Sequence, residues 1–282
     1  MTWTLTEDLD EYVAAAGDFL RSRPVRNTIQ LAAVEAVRAR GGSAFGEIPP
    51  LFGWWRSSDG EVAAALLHTP PYPVLLTGLP EHSAGPLAEV LSASRGQLAG
   101  VNAEQADAAA FAAAWGERTG ASATVCRRSR LFRLGELELP APCPRGTARV
   151  AVAADRDLLE SWFAAFAGEV GDMAGRIPGA VDDRLSYGGL TLWEADGPAV
   201  SLAGVTRPAA GAIRVAPVYT PPPQRGRGYA GAVTAAVSQA ALDAGAKHVV
   251  LFTDLANPTS NALYPRLGYR PVEDRVVLTF GT

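Results

Sequence analysis

The chain has 282 residues, of which 48% are hydrophobic and 19% are charged, and its formal net charge is −4. This composition suits one large folded domain, or two of about 140 residues each, and excludes a disordered chain. The slight acidity argues against nucleic acid and membrane as partners, because no excess positive field would hold them. Cys126 and Cys143 are too few for a disulfide framework, and the three histidines show no zinc-ligand spacing.

The segment Met1–Asp8 lacks the basic region and apolar core of a signal peptide. No run of about 18 apolar residues is present that could span a membrane. We therefore expect a cytoplasmic protein with cysteines that stay reduced.

The first half of the chain predicts alternating helices and strands. Apolar residues recur at helical spacing over residues 7–40, 83–94 and 103–119. Strand patterns cover residues 52–56, 61–68, 73–78, 98–102 and 122–139. The first two strands are joined by a Ser-Ser-Asp-Gly turn, which indicates a hairpin.

Residues 140–147 form a connector with three prolines, which disfavour helices and central strands. We therefore predict a domain boundary there, with one domain over residues 1–140 and a second over residues 148–282.

The second half predicts a strand, a helix capped by Asp155, a partly helical polar segment over residues 168–184, and a three-stranded meander over residues 188–219. A long helix follows over residues 229–244, with Gly245 just beyond its end. A strand over residues 248–253, a short helix begun by Asn257 and Pro258, and a strand over residues 276–280 complete the half. This order predicts an α/β (α+β) fold, a mixed β-sheet flanked by helices, and the first half follows a similar order.

The segment Arg225–Ala230 is a glycine-rich turn between a strand and a helix. Such a turn gathers free backbone N–H groups at the positive end of the helix and predicts an anion site, most often for phosphate. Gly226–Gly231 also fits the G-x-G-x-x-G dinucleotide pattern, but Thr220–Gln224 separates it from the strand and too few residues follow for a doubly wound domain. A P-loop is excluded, because no Gly-Lys-Ser/Thr follows.

Two segments carry a family resemblance. Arg225–Ala230 resembles the R-x-x-G-x-G/A pyrophosphate loop of the GNAT acyl-CoA N-acyltransferases, and Asn257–Tyr269 resembles the second signature of that superfamily. The first half resembles a degenerate copy of the same fold, because Pro80–Gly85 lacks the arginine and the glycine pair. A tandem arrangement of two GNAT-like mixed sheets is therefore expected.

The resemblance implies transfer of an acetyl group from acetyl-CoA to an amine by direct attack in a ternary complex. Tyr264 would be the general acid that protonates the departing thiolate. The acceptor would be a small-molecule amine or a peptide, and the chain would act as a monomer or a homodimer. The residues implied to bind acetyl-CoA are Val218, Tyr219 and Thr220 along the pantetheine arm, Arg225, Gly226, Arg227, Gly228, Tyr229 and Ala230 around the pyrophosphate, and Asn257 with Ser260 or Asn261 on the pantetheine and adenosine side.

Several alternatives stay open. Glu169, Asp172 and Glu194 are candidates for the general base, and each is also explained as a solvated charge. Tyr264 fits a core aromatic residue as well. A catalytically inactive CoA-binding regulatory protein is the main alternative, whereas a nucleotide-dependent oxidoreductase is disfavoured by topology. The first half is expected to be structural and to form a wall of the acceptor site, and Trp54-Trp55 fits either its core or that wall.

Overall fold

A computed structural model describes residues 2–171 and 179–281 of the chain. These residues form two compact units. The first comprises Met1–Arg130, Asp254–Ala256 and Glu273–Thr282, and the second comprises Leu131–Thr253 and Asn257–Val272. The proline-rich connector thus belongs to the second unit, and the end of the chain returns to the first. The predicted roles of a structural and a catalytic domain stay predictions, because compactness assigns no role.

The first unit is a mixed sheet with helices. Its helices are α1 (Leu9–Ser22), α2 (Thr28–Arg40), α3 (Ala84–Arg95) and α4 (Gln105–Thr119). Its strands are β1 (Thr2–Thr6), β2 (Leu51–Arg56), β3 (Val62–His68), β4 (Val74–Thr77), β5 (Gly100–Glu104) and most of β6 (Ser122–Leu134). The strands β1 to β5 lie in chain order, antiparallel except for the parallel pair β4 and β5. The predicted hairpin is confirmed as β2 and β3.

Both tryptophans of β2 lie in the core of the first unit. Trp54 and Trp55 are buried. The ring of Trp55 lies 5.8 Å from that of Trp3, and the ring of Trp54 lies 6.5 Å from that of Tyr12. The core role for these residues is therefore confirmed.

The second unit has the predicted element order. Its strands are β7 (Thr147–Val150), β8 (Leu190–Glu194), β9 (Ala199–Val205), β10 (Ala212–Tyr219), β11 (His248–Asp254) and the start of β12 (Tyr269–Gly281). Its helices are α5 (Arg156–Val170), α6 (Ala180–Leu185), α7 (Tyr229–Asp243) and α8 (Pro258–Arg266). The strands β7 to β11 lie in chain order, antiparallel except for the parallel pair β10 and β11. The predicted mixed fold is confirmed.

The sheet of the second unit buries different residues on its two faces. Ile213 and Val215 of β10 pack with the apolar side of α7. Leu202 and Tyr219 pack on the opposite face with Trp162 of α5 and with α6. The alternation follows from the two-residue period of a strand.

Local capping signals set two helix ends as predicted. Gly245 follows α7 with φ of 87°, and the N–H groups of Gly245 and Ala246 donate to the carbonyl oxygens of Leu242 and Ala241. This is the double hydrogen bond of a Schellman motif. At the start of α8, Oδ1 of Asn257 accepts the Ser260 N–H at 3.1 Å.

Two sequence expectations differ from the structure, and a third lies partly outside the described residues. Asp155 occupies the N-cap position of α5, but its side chain makes no capping hydrogen bond to that helix: its carboxylate accepts the Val152 N–H at 2.8 Å and pairs with Arg149 at 2.7 Å. The last strand begins at Tyr269 rather than at Val276. Two charged residues before Val276 fit into the strand because they have polar partners: Asp274 accepts from Arg130, and Arg275 donates to the Asn102 carbonyl. The expected segment 168–184 lies partly outside the described residues, and its ends belong to α5 and α6. No helix in the described ranges is long and apolar enough to cross a bilayer.

Candidate functional site

A β-bulge lies in the middle of β10. Two of its residues, Ala216 and Pro217, lie opposite the single residue Gly204 of β9. A Cβ atom on Gly204 would lie 2.8 Å from the carbonyl oxygen of Ala216, so a larger residue would push the strands apart. A bulge bends its strand and increases the local twist. The second half of β10 therefore leaves the direction set by the first half.

The pairing of the parallel strands β10 and β11 ends just before the bulge. Their register joins Ala212–Arg214 to His248–Val250, and in the described part of the chain it goes no further. The strands themselves continue to Tyr219 and Asp254. Beyond this register the edges of β10 and β11 are not paired with each other, and we call this unpaired stretch the gap. An extended ligand with amide groups can pair with such an edge in the manner of an added strand.

Val218 and Tyr219 are the last residues of β10, and Thr220 follows directly after the strand. Val218 and Tyr219 pair with β9 on one side. The hydroxyl of Ser201 donates to the Tyr219 carbonyl at 3.1 Å and lies 2.8 Å from Oγ1 of Thr220. The ring of Tyr219 is buried 6.0 Å from that of Trp162. The β9 side therefore fixes this segment, and its other edge faces the gap.

The segment Arg225–Ala230 joins the end of β10 to α7. Gly226 and Gly228 have φ of 75° and 83°, a region that favours glycine. The first bond of α7 runs from Ala232 N–H to the Gly228 carbonyl, and among the described residues the N–H groups of residues 226–231 donate no hydrogen bond. A row of such N–H groups at a helix start is able to bind a phosphate group.

The two arginines of this segment differ in environment. The Arg225 guanidinium donates to the Thr220 carbonyl at 2.8 Å and to the Glu169 carboxylate at 2.6 Å. Arg227 is exposed and makes no ion pair with the described residues. The Arg225 side chain therefore orders the segment, and that of Arg227 is available to a ligand.

The connector borders the same segment, which the sequence interpretation missed. The ring of Pro144 lies 3.7 Å from where a Cβ of Gly228 would be, and the ring of Pro140 lies 3.7 Å from where a Cβ of Gly231 would be. Trp193 Nε1 donates to the Arg145 carbonyl at 3.1 Å. No local pattern in the connector indicates this approach, because the partners lie far away along the chain.

The polar residues of the second signature are partly engaged within α8. Asn257 is the helix cap described above, and its side-chain amide nitrogen is available. The hydroxyl of Thr253 donates to Oδ1 of Asn261 at 2.6 Å, and Nδ2 of Asn261 donates to the Asn257 carbonyl at 2.8 Å. Ser260 is half-buried, and its backbone N–H donates to the cap. The side chain of Asn261 thus ties β11 to α8.

Tyr264 lies in the core that contains α7. It is 6% exposed, and its ring lies edge-on to Tyr269 at 5.9 Å. Burial raises the pKa of Tyr264 to about 12, so its phenol keeps its proton at neutral pH. The Tyr269 hydroxyl is held by Ser238 at 2.7 Å, whereas that of Tyr264 makes no hydrogen bond to the described residues.

Comparisons with known proteins agree with this geometry. Residues 198–278 match the model of the FR47-like protein family. The structure is similar to a GNAT-family acetyltransferase from Colwellia psychrerythraea, with a TM-score of 0.60, 11% identity and 100% of both chains covered. A GCN5-related N-acetyltransferase from Sphaerobacter thermophilus has a TM-score of 0.58 and 19% identity, with 98% of this chain and 94% of that chain covered. A tandem GNAT protein from the clavulanic acid biosynthesis pathway has a TM-score of 0.54 and 15% identity, with 99% and 98% covered.

The chain has a tandem GNAT fold. A search of curated proteins found no match. The predicted fold family is thereby confirmed. In the second GNAT unit, the bulge, the gap and the glycine segment occupy consecutive positions along β10 and α7.

The first GNAT unit has a corresponding parallel pair, but its strand edges are bridged. The register joins Val74–Leu75 of β4 to Val101–Asn102 of β5. Arg275 is 3% exposed, and its Nη2 donates to the carbonyl oxygens of Leu76 at 3.2 Å and Asn102 at 3.1 Å. A side chain of the protein thus joins the two strands at the point where they part.

The described candidates for a general base are both engaged in ion pairs. The Glu194 carboxylate accepts a hydrogen bond from Nε of Arg149 at 2.7 Å, and the Glu169 carboxylate pairs with Arg225. Asp172 lies outside the described residues. Within the ranges described, no group of three or more His, Cys, Asp or Glu side chains could hold a metal ion.

Proposed function

We propose that the protein transfers an acetyl group from acetyl-CoA to an amine. One observation carries this proposal: the gap between β10 and β11 leads directly to the free N–H groups of residues 226–231. An extended arm with amide groups that ends in a pyrophosphate matches both features together. A dinucleotide has no such amide-bearing arm and would leave the strand edge of β10 unused.

The residues present fit each part of acetyl-CoA. The pantetheine amides pair with the backbone of Val218–Thr220. The N–H groups of residues 226–231 bind the pyrophosphate, with Arg227 as the available cation. The free amide nitrogen of Asn257 contacts the arm from the side of α8. Ser260 contributes a half-buried hydroxyl on the same helix.

The chemistry is a direct acyl transfer in a ternary complex. The amine nitrogen attacks the thioester carbonyl carbon, the C–N bond forms, and the C–S bond breaks with its electron pair on sulfur. A backbone N–H at the end of β10 donates to the developing oxyanion, an effect worth about 3 kcal/mol of barrier lowering. The ammonium proton of the acceptor leaves to a base or to water before attack.

Tyr264 is the proposed donor to the departing sulfur. Its pKa of about 12 lies above the roughly 8.5 of a thiol, so the phenol stays protonated throughout the reaction. The same difference makes complete transfer of the proton unfavourable by about 5 kcal/mol. A hydrogen bond from the phenol to the thiolate is therefore its main contribution, and solvent completes the protonation.

Thermal unfolding with different nucleotides tests the binding claim. Acetyl-CoA at about 100 times its Kd should stabilise the protein by about 2.7 kcal/mol, and NAD and FAD should not. Stabilisation by NAD alone would contradict the proposal. Thiol release from acetyl-CoA with a panel of amines then tests catalysis. Binding without acceptor-dependent thiol release would favour the regulatory alternative.

A further inference from the structure

The connector crosses the start of α7 in the second unit. The ring of Pro140 lies 3.7 Å from where a Cβ of Gly231 would be. The ring of Pro144 lies equally close to where a Cβ of Gly228 would be. These two glycines are about one helical turn apart. The connector therefore runs beside the same backbone N–H groups to which we assigned the pyrophosphate.

The backbone after Pro144 is held in place by β8. The Arg145 carbonyl accepts the indole N–H of Trp193 at 3.1 Å, and Trp193 is buried in the core that contains α7. Gly146 has φ of 123°, and a Cβ on it would collide with the carbonyl oxygen of Glu194. Only glycine allows so close an approach of two backbones. Arg145 is therefore positioned on the same side of the sheet as α7.

Arg145 carries the only charge in the connector. Its Cα lies about 3.8 Å from that of Pro144, so its long side chain begins close to Gly228. The Arg145 guanidinium is exposed and, like that of Arg227, makes no hydrogen bond or ion pair with the described residues. Two arginines from distant parts of the chain thus begin beside the N–H groups of residues 226–231.

Given the acetyl-CoA site proposed above, we infer that Arg145 binds a phosphate group of CoA. CoA carries this chemistry at two places, the pyrophosphate and the 3′-phosphate of its ribose. A guanidinium group forms paired hydrogen bonds with a phosphate, and its full charge adds to the partial charges of the helix start. The connector is then a part of the CoA site that lies outside both signature segments.

Substitutions of Arg145 test this inference on the full-length chain. In calorimetric titrations with CoA, Arg145→Met should raise the Kd about tenfold, because a hydrogen-bonded charge pair is lost. Arg145→Lys should raise the Kd only about threefold, since an ammonium group keeps the charge without the planar fork. Because the guanidinium is exposed and makes no hydrogen bond in the described chain, the melting midpoint of the ligand-free protein should stay the same.

Lys247→Met is the matched control. Lys247 is an exposed cation of the same unit, and its N–H donates to the Gly211 carbonyl at 2.9 Å just beyond the far end of α7. The helix has 15 residues and is about 22 Å long, more than twice the Debye length of about 8 Å at physiological salt. Removal of this charge should therefore change the Kd of CoA less than about twofold.

Dephospho-CoA, which lacks the 3′-phosphate, distinguishes the two phosphate positions. If Arg145 contacts the pyrophosphate, Arg145→Met should weaken binding of CoA and dephospho-CoA by the same factor. If it contacts the 3′-phosphate, the substitution should weaken binding of CoA alone. In both cases the difference between wild type and variant should fall below about threefold in 1 M salt, where the Debye length is about 3 Å.

Three results would overturn the inference while the wild type still binds CoA. One is an equal Kd of CoA for the wild type and Arg145→Met. The second is an equal loss of affinity in Lys247→Met, which would reflect net charge rather than a contact. The third is a loss in Arg145→Met that stays the same in 1 M salt, which would indicate a change of packing. Failure of the wild type to bind CoA would instead refute the proposed function, and this inference with it.

Discussion

Arg225 and Glu169 form an ion pair in which one guanidinium nitrogen, Nη2, lies 2.6 Å from Oε1 and 2.7 Å from Oε2 of the carboxylate. The same guanidinium donates through Nε to the Thr220 carbonyl at 2.8 Å. The Arg225 side chain thereby joins the end of α5 to the end of β10. The segment that follows carries N–H groups that donate no hydrogen bond to the described residues. If acetyl-CoA binds as proposed, we expect the backbone N–H groups and Arg227 to contact its pyrophosphate.

Glu169→Gln should affect acetyl-CoA binding more than catalysis. The ion pair between Glu169 and Arg225 is half-exposed, and such pairs contribute about 0–1 kcal/mol. The KM for acetyl-CoA should therefore rise up to about fivefold, with little change in kcat. Steady-state kinetics with Arg225→Lys as a companion variant measures this. A loss of kcat of about a hundredfold with an altered pH profile would show instead that Glu169 is the base.

Gly228→Glu should abolish CoA binding. The residue has φ of 83° at the start of α7, and a carboxylate there would repel the pyrophosphate. Gly245→Glu is a matched control, because Gly245 has φ of 87° at the other end of the same helix and an added Cβ meets no atom within 4 Å. Calorimetric titration with CoA should detect binding by the control alone. Retained binding by Gly228→Glu would refute the assignment of the segment.

Tyr264→Phe should lower kcat by about ten- to a thousandfold and leave CoA affinity within about threefold. The ring remains in the core, and the hydroxyl makes no hydrogen bond to the described residues, so the thermal midpoint should hardly change. Rates and melting curves of the pure variant give the answer. Wild-type kcat in the variant would make Tyr264 a core aromatic residue only.

The raised pKa of Tyr264 should lower the free energy of unfolding at alkaline pH. Its pKa is about 12 in the folded chain against 10.0 as the ordinary value. The unfolded chain therefore releases this proton first, and stability present below pH 10.0 is lost as the pH rises toward about 12. Urea unfolding across that window should show Tyr264→Phe losing about 3 kcal/mol less than the wild type. Equal losses would mean that the buried phenol ionises normally.

Arg275→Met should destabilise the first unit strongly. The substitution removes the donor to two strand carbonyls, while Glu273 keeps its ion pair with Arg26, so we expect a loss of about 1–3 kcal/mol for each buried carbonyl left without a donor. Arg130→Met is the control, because its pair with Asp274 is about two-fifths exposed and should contribute less than about 1 kcal/mol. Urea unfolding compares the two variants, and similar small losses in both would refute the bridging role.

The bridge by Arg275 also predicts binding stoichiometry. Calorimetry should detect one equivalent of CoA per chain, since the first unit has neither an open strand edge nor a glycine segment after β4. Two equivalents would show that the first unit binds CoA as well.

Local chemistry made much of the fold predictable. Asn257 with Pro258 and Gly245 at the end of α7 are capping signals that act within one helical turn, and all of them are confirmed. The β2–β3 hairpin follows from its turn. Asp155 was predicted wrongly as a cap, because Arg149 offers its carboxylate a stronger partner from a neighbouring strand.

The sequence by itself determined the glycine segment, the strand and helix on either side of it, and hence the fold family. Those features depend on residues within about one turn or one strand of each other. Only the tertiary structure decided that Glu169 holds Arg225 and that Arg275 bridges β4 and β5. Each of these joins residues from separate elements, and charge partners are chosen by distance in the folded chain, which no local pattern encodes.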